Sequence, residues 1–273
     1  MTEIVYTSQS ELRRPGRFFS EAFRDLHLAP TVAWRLFLSN VRARHRRSWL
    51  GYLWLLLPTL ATTAIWTYIH TRGVIAIAPT AVPYPVYVLA GTVLWQVFVD
   101  ALNAPLQQLQ AARQLITRSR VPHEALILAG VFEVLLNCAA RLIVLVPALL
   151  FFAVPIGPRA LLLPVGIAAL LLLGLALGML VAPAGLLYDD VGRAVALATG
   201  FWFFLTPVVY RAPADGLLRL NPVTPLLETT RGWLTSTGTA RGFGAVTLAA
   251  LLTLFAAWLV QRIARPHTVA RLG

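Results

Sequence analysis

Residues 160–187 read ALLLPVGIAALLLLGLALGMLVAPAGLL, without one charged side chain. A helix needs about 20 mainly apolar residues to cross the hydrocarbon core of a bilayer, and this stretch exceeds that length. Similar runs lie on either side. Residues 49–70 contain no Asp, Glu or Arg. Residues 84–112 start as an apolar run, and the helix is expected to continue through Asp100 toward Ala112. A third run, 125–154, is interrupted by Glu133 and Arg141. Residues 194–210 form a shorter run, and residues 243–261 close the series. With 160–187 these make six expected spans, so the fold class is an all-α membrane protein with its transmembrane domain at 49–261.

Composition agrees. Of the 273 residues 58% are hydrophobic and 12% charged, against roughly 45–50% and about 25% in soluble domains. The net charge is +12 and every basic residue is Arg. These arginines lie mostly outside the apolar runs, where membrane orientation explains them more simply than nucleic acid. With the N-terminus inside, cytoplasmic segments hold sixteen Arg and outer segments six. That bias places both termini, the segment 1–48 and the tail 262–273, in the cytoplasm. One cysteine, Cys138, excludes a disulfide framework and a cysteine-based zinc site. The chain has no Lys and no Gly-rich phosphate loop, so it cannot hydrolyse ATP by that route. No catalytic or metal constellation emerges: His123-Glu124 lacks the second His of a zinc-protease helix, and Asp189-Asp190 reads as a solvated span end.

Two segments depart from simple crossing. In residues 31–47, Trp34, Phe37, Leu38 and Val41 follow the spacing of one helical face. Arg35, Arg42 and Arg46 gather about a quarter-turn away, with Arg44 and Arg47 on other faces. Such a helix lies in the membrane interface. Two readings share its arginines: a positive anchor that sets topology, or a receptor for lipid phosphate, which Arg grips in a bidentate manner. Residues 211–242 carry Asp215, Arg219, Glu228 and Arg231, too many charges to span. Yet Leu217, Leu218, Leu220, Leu226, Leu227, Trp233 and Leu234 are too apolar for a solvated loop. Two short broken helices dipping back into the outer leaflet reconcile these facts, provided protein or a cavity shields them.

Polar groups within spans are functional candidates by default. Glu133, Asn137 and Arg141 are spaced by four and form one stripe, with Asp100 a partner for Arg141. The stripe either lines a hydrophilic path or fixes helix packing. Gly174, Gly178 and Ala182 make a face of small residues that admits close helix approach. Aromatics cluster twice. Trp49, Trp66 and Tyr68 fit the ordinary interfacial belt. Tyr52 and the run Phe201, Trp202, Phe203 and Phe204 would suit a channel for glycan, because sugars stack their C–H faces on aromatic rings; packed or lipid-facing aromatics are the plainer reading.

Five stretches together resemble one family. Arg46-Arg47-Ser48-Trp49-Leu50-Gly51-Tyr52-Leu53-Trp54 is similar to the R-x-S-x-L-G-x-L-W opening of the first span in type-2 ATP-binding-cassette (ABC) permeases. Within that family the nearest branch is the polysaccharide exporters (O-antigen, or Wzm-like, permeases) and polyol-phosphate exporters. Residues 85–95, with Leu-Ala-Gly before Trp95, resemble the start of that branch's second span. Leu115 to Glu124, ending Val-Pro-His-Glu, resembles its L-I-x-x-x-x-x-P-x-E loop. Tyr188 to Arg193 is similar to R-D-[IL]-G-R, with Asp189 where Arg is usual. Leu220-Asn221-Pro222-Val223-Thr224-Pro225, followed by Glu228 and Arg231, resembles L-N-P-x-x-P. The matches run in order across roughly residues 30–262. The usual Pro after Trp54 is displaced to Pro58.

The resemblance implies six spans, an N-terminal interfacial helix and a re-entrant outer hairpin between spans five and six. It implies a second copy of the chain, paired around a channel, and two separate cytoplasmic ABC ATPase subunits that hold the ATP and Mg; this chain would hold no cofactor. The cargo implied is a polyprenyl-linked glycan, in a bacterial cytoplasmic (inner) membrane. Gln114, Arg118, Arg120, Pro122, His123 and Glu124 would form the coupling segment that inserts in an ATPase groove. Leu50-Gly51 and Asn221-Pro222 would flank the two channel ends. Arg42, Arg44, Arg46 and Arg47 are the candidates for lipid phosphate. The alternatives carried beside this are an ABC exporter of drugs or other small molecules, and an ion-coupled secondary transporter using Glu133 and Arg141. A membrane-embedded glycan-modifying enzyme would need a carboxylate or His site, and none can be built from these residues.

Overall fold

The computed structural model describes residues 15–47, 51, 53–74, 79–113, 122–211, 217–235 and 241–272, with side chains at 15–23, 26, 44–47, 217, 219 and 265–272 left aside. The described residues are all-helical: eight α-helices and two short 3-10 turns. The helices are α1 (Pro15–Arg47), α2 (Leu53–Thr71), α3 (Tyr84–Ala111), α4 (His123–Phe151), α5 (Leu163–Leu187), α6 (Asp190–Leu205), α7 (Val223–Leu234) and α8 (Phe243–Leu272). The 3-10 turns are Pro158–Leu162, leading into α5, and Leu217–Leu220, before α7.

Among the described residues, four helices are long and apolar enough to cross a membrane: Tyr84–Ala111, His123–Phe151, Pro158–Leu187 and Phe243–Ala264. The other two expected spans are weaker. Helix α2 has 19 residues, but Thr59, Thr62, Thr63 and Thr67 interrupt its apolar run. Helix α6 has 16 residues, a rise of about 24 Å against a core of about 30 Å. The cause is local. Pro207 restricts the residue before it, and Thr206 is extended at φ −109° and ψ 136°, so the helix stops at Leu205 rather than at 210.

Proline also sets starts, where its missing N–H is harmless. Pro83 and Pro122 immediately precede α3 and α4, and Pro164 lies in the first turn of α5. Other boundaries differ from expectation. Helix α1 begins at Pro15, not near residue 31, and continues through Pro30. No break occurs at 261; α8 continues through the expected tail to Leu272. Residues 211–242 contain the expected two short helical pieces, one a 3-10 turn of four residues and the other α7 of 12.

Helix α3 is the axis of the bundle, buried almost throughout between Tyr84 and Leu106 and flanked by α2, α4, α5 and α7. Gly174 and Gly178 lie directly on its backbone: a Cβ on either would collide with the carbonyl oxygens of Phe98 and Leu102 respectively. The small-residue face is therefore the α3–α5 contact, and Ala182, fully buried, continues it toward Leu109 and Leu126. Helix α7 is buried on nearly every side, with Leu226, Leu227, Thr229 and Thr230 wholly enclosed. Protein thus shields this short helix, the condition its charges and apolar residues require together.

Candidate functional site

Three polar assemblies stitch the bundle. The first is a seam between α3 and α4. Arg141, 3% exposed, donates to Asp100 Oδ2 at 2.6 Å, and Asn137 Nδ2 donates to the same oxygen at 3.3 Å. Two turns along, Glu133 Oε1 accepts from Gln108 Nε2 at 2.9 Å and from Asn40 Nδ2 of α1 at 2.8 Å. Asp100 and Gln108 are eight residues apart on α3, as are Glu133 and Arg141 on α4. They pair in opposite order, as antiparallel neighbours must. The stripe expected from spacing is thus divided: its two carboxylates are engaged by donors of the same chain, joining α1, α3 and α4. A charge left alone at this depth costs several kcal/mol, which explains the pairing.

The second assembly lies where α6 meets α7. Asn221 Oδ1 accepts from the indole Nε1 of Trp202 and from the backbone N–H of Val223, both at 3.0 Å. Its Nδ2 donates to the carbonyl of Leu205 at 3.1 Å and to Thr206 Oγ1 at 2.8 Å. Asn is suited to this because one side chain both accepts the orphan N–H groups of a helix start and donates to the orphan carbonyls of a helix end. Close by, Arg231 is 4% exposed. Its guanidinium donates to the carbonyls of Pro207 and Val208, each at 3.0 Å, and lies 3.8 Å from the ring centroid of Tyr87. Tyr84 and Tyr87 donate in turn to the carbonyls of Val209 and Tyr210. The strand of backbone after α6 is thereby held by α3 and α7 together. Gly91 lets it approach, since a Cβ there would strike the Val208 carbonyl.

The aromatic run of α6 splits between two faces. Trp202 packs edge-on against Phe98 at 5.3 Å, and Phe203 against Trp95 at 6.0 Å. Phe201 and Phe204 point away and are 72% and 62% exposed. On α2, Leu53, Trp54, Leu57, Leu60, Ile65 and Tyr68 are likewise exposed.

The third assembly ties α1, α4 and α8. Arg262, 8% exposed, donates to Glu124 Oε1 at 2.7 Å and to Asp25 Oδ2 at 3.1 Å. His123, next to Glu124 in sequence at the start of α4, is buried, and Pro122 is half-buried. Of the other coupling candidates, Gln114, Arg118 and Arg120 lie outside the described residues, as does Tyr52. The side chains of Arg44, Arg46 and Arg47 also lie outside them; Arg42 is exposed on α1. The apolar face of α1 is covered in part by protein: Phe37, buried, meets Phe132 of α4 at 5.8 Å, and Trp34, half-exposed, meets it edge-on at 5.7 Å. At the start of α6, Asp190 and Arg193 make an exposed pair at 3.0 Å, of a kind that contributes little.

Arg231 and Arg262 are two of the polar residues of these assemblies that sequence reasoning did not single out as site residues, with Asn40, Gln108, Asp25 and Thr206. Arg262 bonds to groups 138 and 237 positions away, so no spacing could signal it. Arg231 carried a signal, an Arg within a mostly apolar segment just past Asn221-Pro222.

No family model matches the chain. A curated protein described as the O-antigen export system permease protein RfbA, from Myxococcus xanthus, is 24% identical over 215 residues, covering 75% of this chain and 80% of that protein. The resemblance carried by the five motifs, to type-2 ABC permeases of the polysaccharide-export branch, is thus met by a distant likeness to an O-antigen export permease across three quarters of the chain.

Proposed function

We propose that this chain is the permease subunit of an ATP-driven exporter that moves a lipid-linked polysaccharide across the bacterial inner membrane. The likeness to an O-antigen export permease carries this reading. The geometry supports it at one point in particular. Helices α2 and α6 flank α3 and leave apolar faces uncovered, Leu53, Trp54 and Leu57 on one and Leu197, Phe201 and Phe204 on the other. Exposed apolar faces such as these, like those of α4 and α8, meet lipid or another protein. In the proposal α2 and α6 are the first and fifth of six crossings, α7 is the re-entrant piece, and both termini are cytoplasmic. A second copy covers the uncovered faces, and the path for glycan opens between the copies, with Phe201 and Phe204 toward it.

ATP and Mg act in two partner subunits below, which pull on the segment 114–120. Glu124 is turned inward onto Arg262, which also donates to Asp25, so in this scheme it transmits that pull through Arg262 to α8 and α1 rather than meeting the ATPase itself. Trp202 and Asn221 hold the outer end of α6 to α7, so that the two move as one piece.

Deleting the gene in its host should remove the surface polysaccharide while the lipid-linked glycan accumulates inside, and restoring the chain with its ATPase should reverse both. An unchanged surface with altered drug sensitivity would replace the glycan by a small molecule. Transport that persists without the ATPase would overturn the reading in favour of a secondary transporter. Within the proposal, clustered Arg at the inner interface receives the carrier's phosphates. Arg46→Gln with Arg47→Gln is therefore expected to cut export severalfold while the purified chain still elutes as an intact dimer; export at the wild-type rate would defeat the receptor role.

A further inference from the structure

Pro207, Val208, Val209 and Tyr210 follow α6 without belonging to a helix. Each of their four carbonyls accepts from a side chain of α3 or α7. Arg231 donates to the first two, Tyr84 to the third at 3.0 Å and Tyr87 to the fourth at 2.9 Å. Pro207, Val208 and Val209 are buried. A carbonyl released there would lose its donor with no water to replace it, and the full desolvation penalty would remain.

Arg231 is the member that closes the assembly. Its guanidinium lies on the ring of Tyr87 and bonds the segment, and Tyr87 bonds the same segment two residues on. A planar guanidinium can stack on a ring and donate from its edge at once, and it stays charged; a Lys ammonium offers neither the plane nor the fork. Two glycines admit the approach. A Cβ at Gly91 of α3 would strike the Val208 carbonyl, and one at Gly166 of α5 would strike the Thr230 side chain. Helix α7 is thus seated on α3 and α5, and Asn221 fastens its start to the end of α6. Helix α2 is held otherwise. His70, in its last turn, stacks on Tyr84 at 4.2 Å, and among the described residues no hydrogen bond or ion pair joins α2 to another helix. Moving α2 along α3 breaks no such bond. Lifting α7 from α3 breaks either the two Arg231 bonds or the two tyrosine bonds, and the ring contact with them.

We infer that Arg231 is a positioning residue of transport. It fixes α7 and the lip at 207–210 to α3 as one body, so that the outer exit opens by displacement of one copy against the other and not by α7 lifting as a lid. The inference rests on the export reading, which supplies the second copy and the ATPase.

The test uses the full chain with its ATPase in nanodiscs and nitroxide labels read by EPR, with and without ATP and vanadate. Glu228→Cys labels α7 on the strip, with Pro225, that is not enclosed, and Ala81→Cys labels an exposed position just before α3. Cys138 is buried and stays unlabelled. With doubly labelled chain diluted by unlabelled chain, the separation within one copy should be the same in both states. With Glu228→Cys alone, the separation between copies should change by several ångströms. A change within the copy overturns the inference, and so does an unchanged separation between copies; neither needs Arg231 to be altered. Arg231→Leu should broaden the separation within the copy. Per assembled complex it should lower export about tenfold while ATP hydrolysis persists, the scale of one lost hydrogen bond to a charged group. Arg231→Lys should recover part of that loss. Export and hydrolysis falling in parallel would leave Arg231 a structural residue and overturn its positioning role. A chain that restores the surface polysaccharide but bends within the copy sinks this inference alone, whereas a chain that binds no ATPase sinks the export reading.

Discussion

Gly178→Leu is expected to abolish the folded state, giving aggregated protein where wild type elutes as one species in mild detergent. The reason is backbone against backbone. A Cβ at Gly178 would overlap the Leu102 carbonyl, and one at Gly174 would sit 2.5 Å from the Phe98 carbonyl. A crowded side chain can rotate away, but a helical carbonyl cannot, so α3 and α5 would have to separate along the contact that buries Leu94, Phe98, Leu170 and Ala176. Overpacking usually costs about 1–3 kcal/mol when side chains can yield; here the lost packing adds to it. Gly178→Ala carries the same Cβ without the rest of the side chain, so α3 and α5 must part only by the overlap of that one carbon; it should still fold, with a large loss of stability. Gly200→Leu is the control: it lies in α6 with nothing within 4 Å of an added Cβ, and Leu favours a helix over Gly by close to 1 kcal/mol. Size-exclusion chromatography and thermal melting of the three variants read the result. A monodisperse Gly178→Leu chain would mean that α3 and α5 do not pack this way.

The same pair of helices shows what a linear reading can reach. Runs 84–112 and 160–187 were legible because lipid-crossing length and freedom from charge are properties of composition alone. The small-residue face was legible as a pattern at intervals of four, though not its partner, because any helix of suitable shape could lie there. Asp100 with Arg141 was legible because both are charges inside apolar runs and each needs the other. What escaped shares a cause: interactions between distant residues override local preference. Periodicity alone would end the last span at 261, yet Arg262, buried against Glu124 and Asp25, lies within a helix that continues to Leu272. The apolar spacing was read only from residue 31, whereas the helix starts at Pro15 and runs through Pro30, with Ala33 and Phe37 packed on Ala129 and Phe132. The end of α6 escaped for the opposite reason. Apolar residues continue to Val209, and the dihedral limit that Pro207 sets on Thr206 outweighed them. Arg231 was counted only among the charges that forbid spanning; its place within the protein, where two carbonyls and an aromatic face solvate it, was not legible.

Arg141→Leu should then be the most damaging exchange of a single polar residue. It strips Asp100 of its guanidinium and leaves a carboxylate in a buried seam with only Asn137 as donor at 3.3 Å. Breaking a buried pair from one side costs about 3–5 kcal/mol, most of it the cost of the charge left behind. Asp100→Leu together with Arg141→Leu removes both charges, and the double variant should regain more than half of that loss. Glu133→Gln is expected to cost less than Arg141→Leu, because the amide oxygen still accepts from Asn40 and Gln108, and such bonds between membrane helices average about 0.6 kcal/mol. Denaturant titration in mixed micelles measures each, and export in the deletion strain measures what stability does not. If the double variant recovers both stability and export, the seam is a clasp between α3 and α4. If it recovers stability and export stays lost, the two charges act on the passing substrate, and the path runs through this chain rather than between two copies of it.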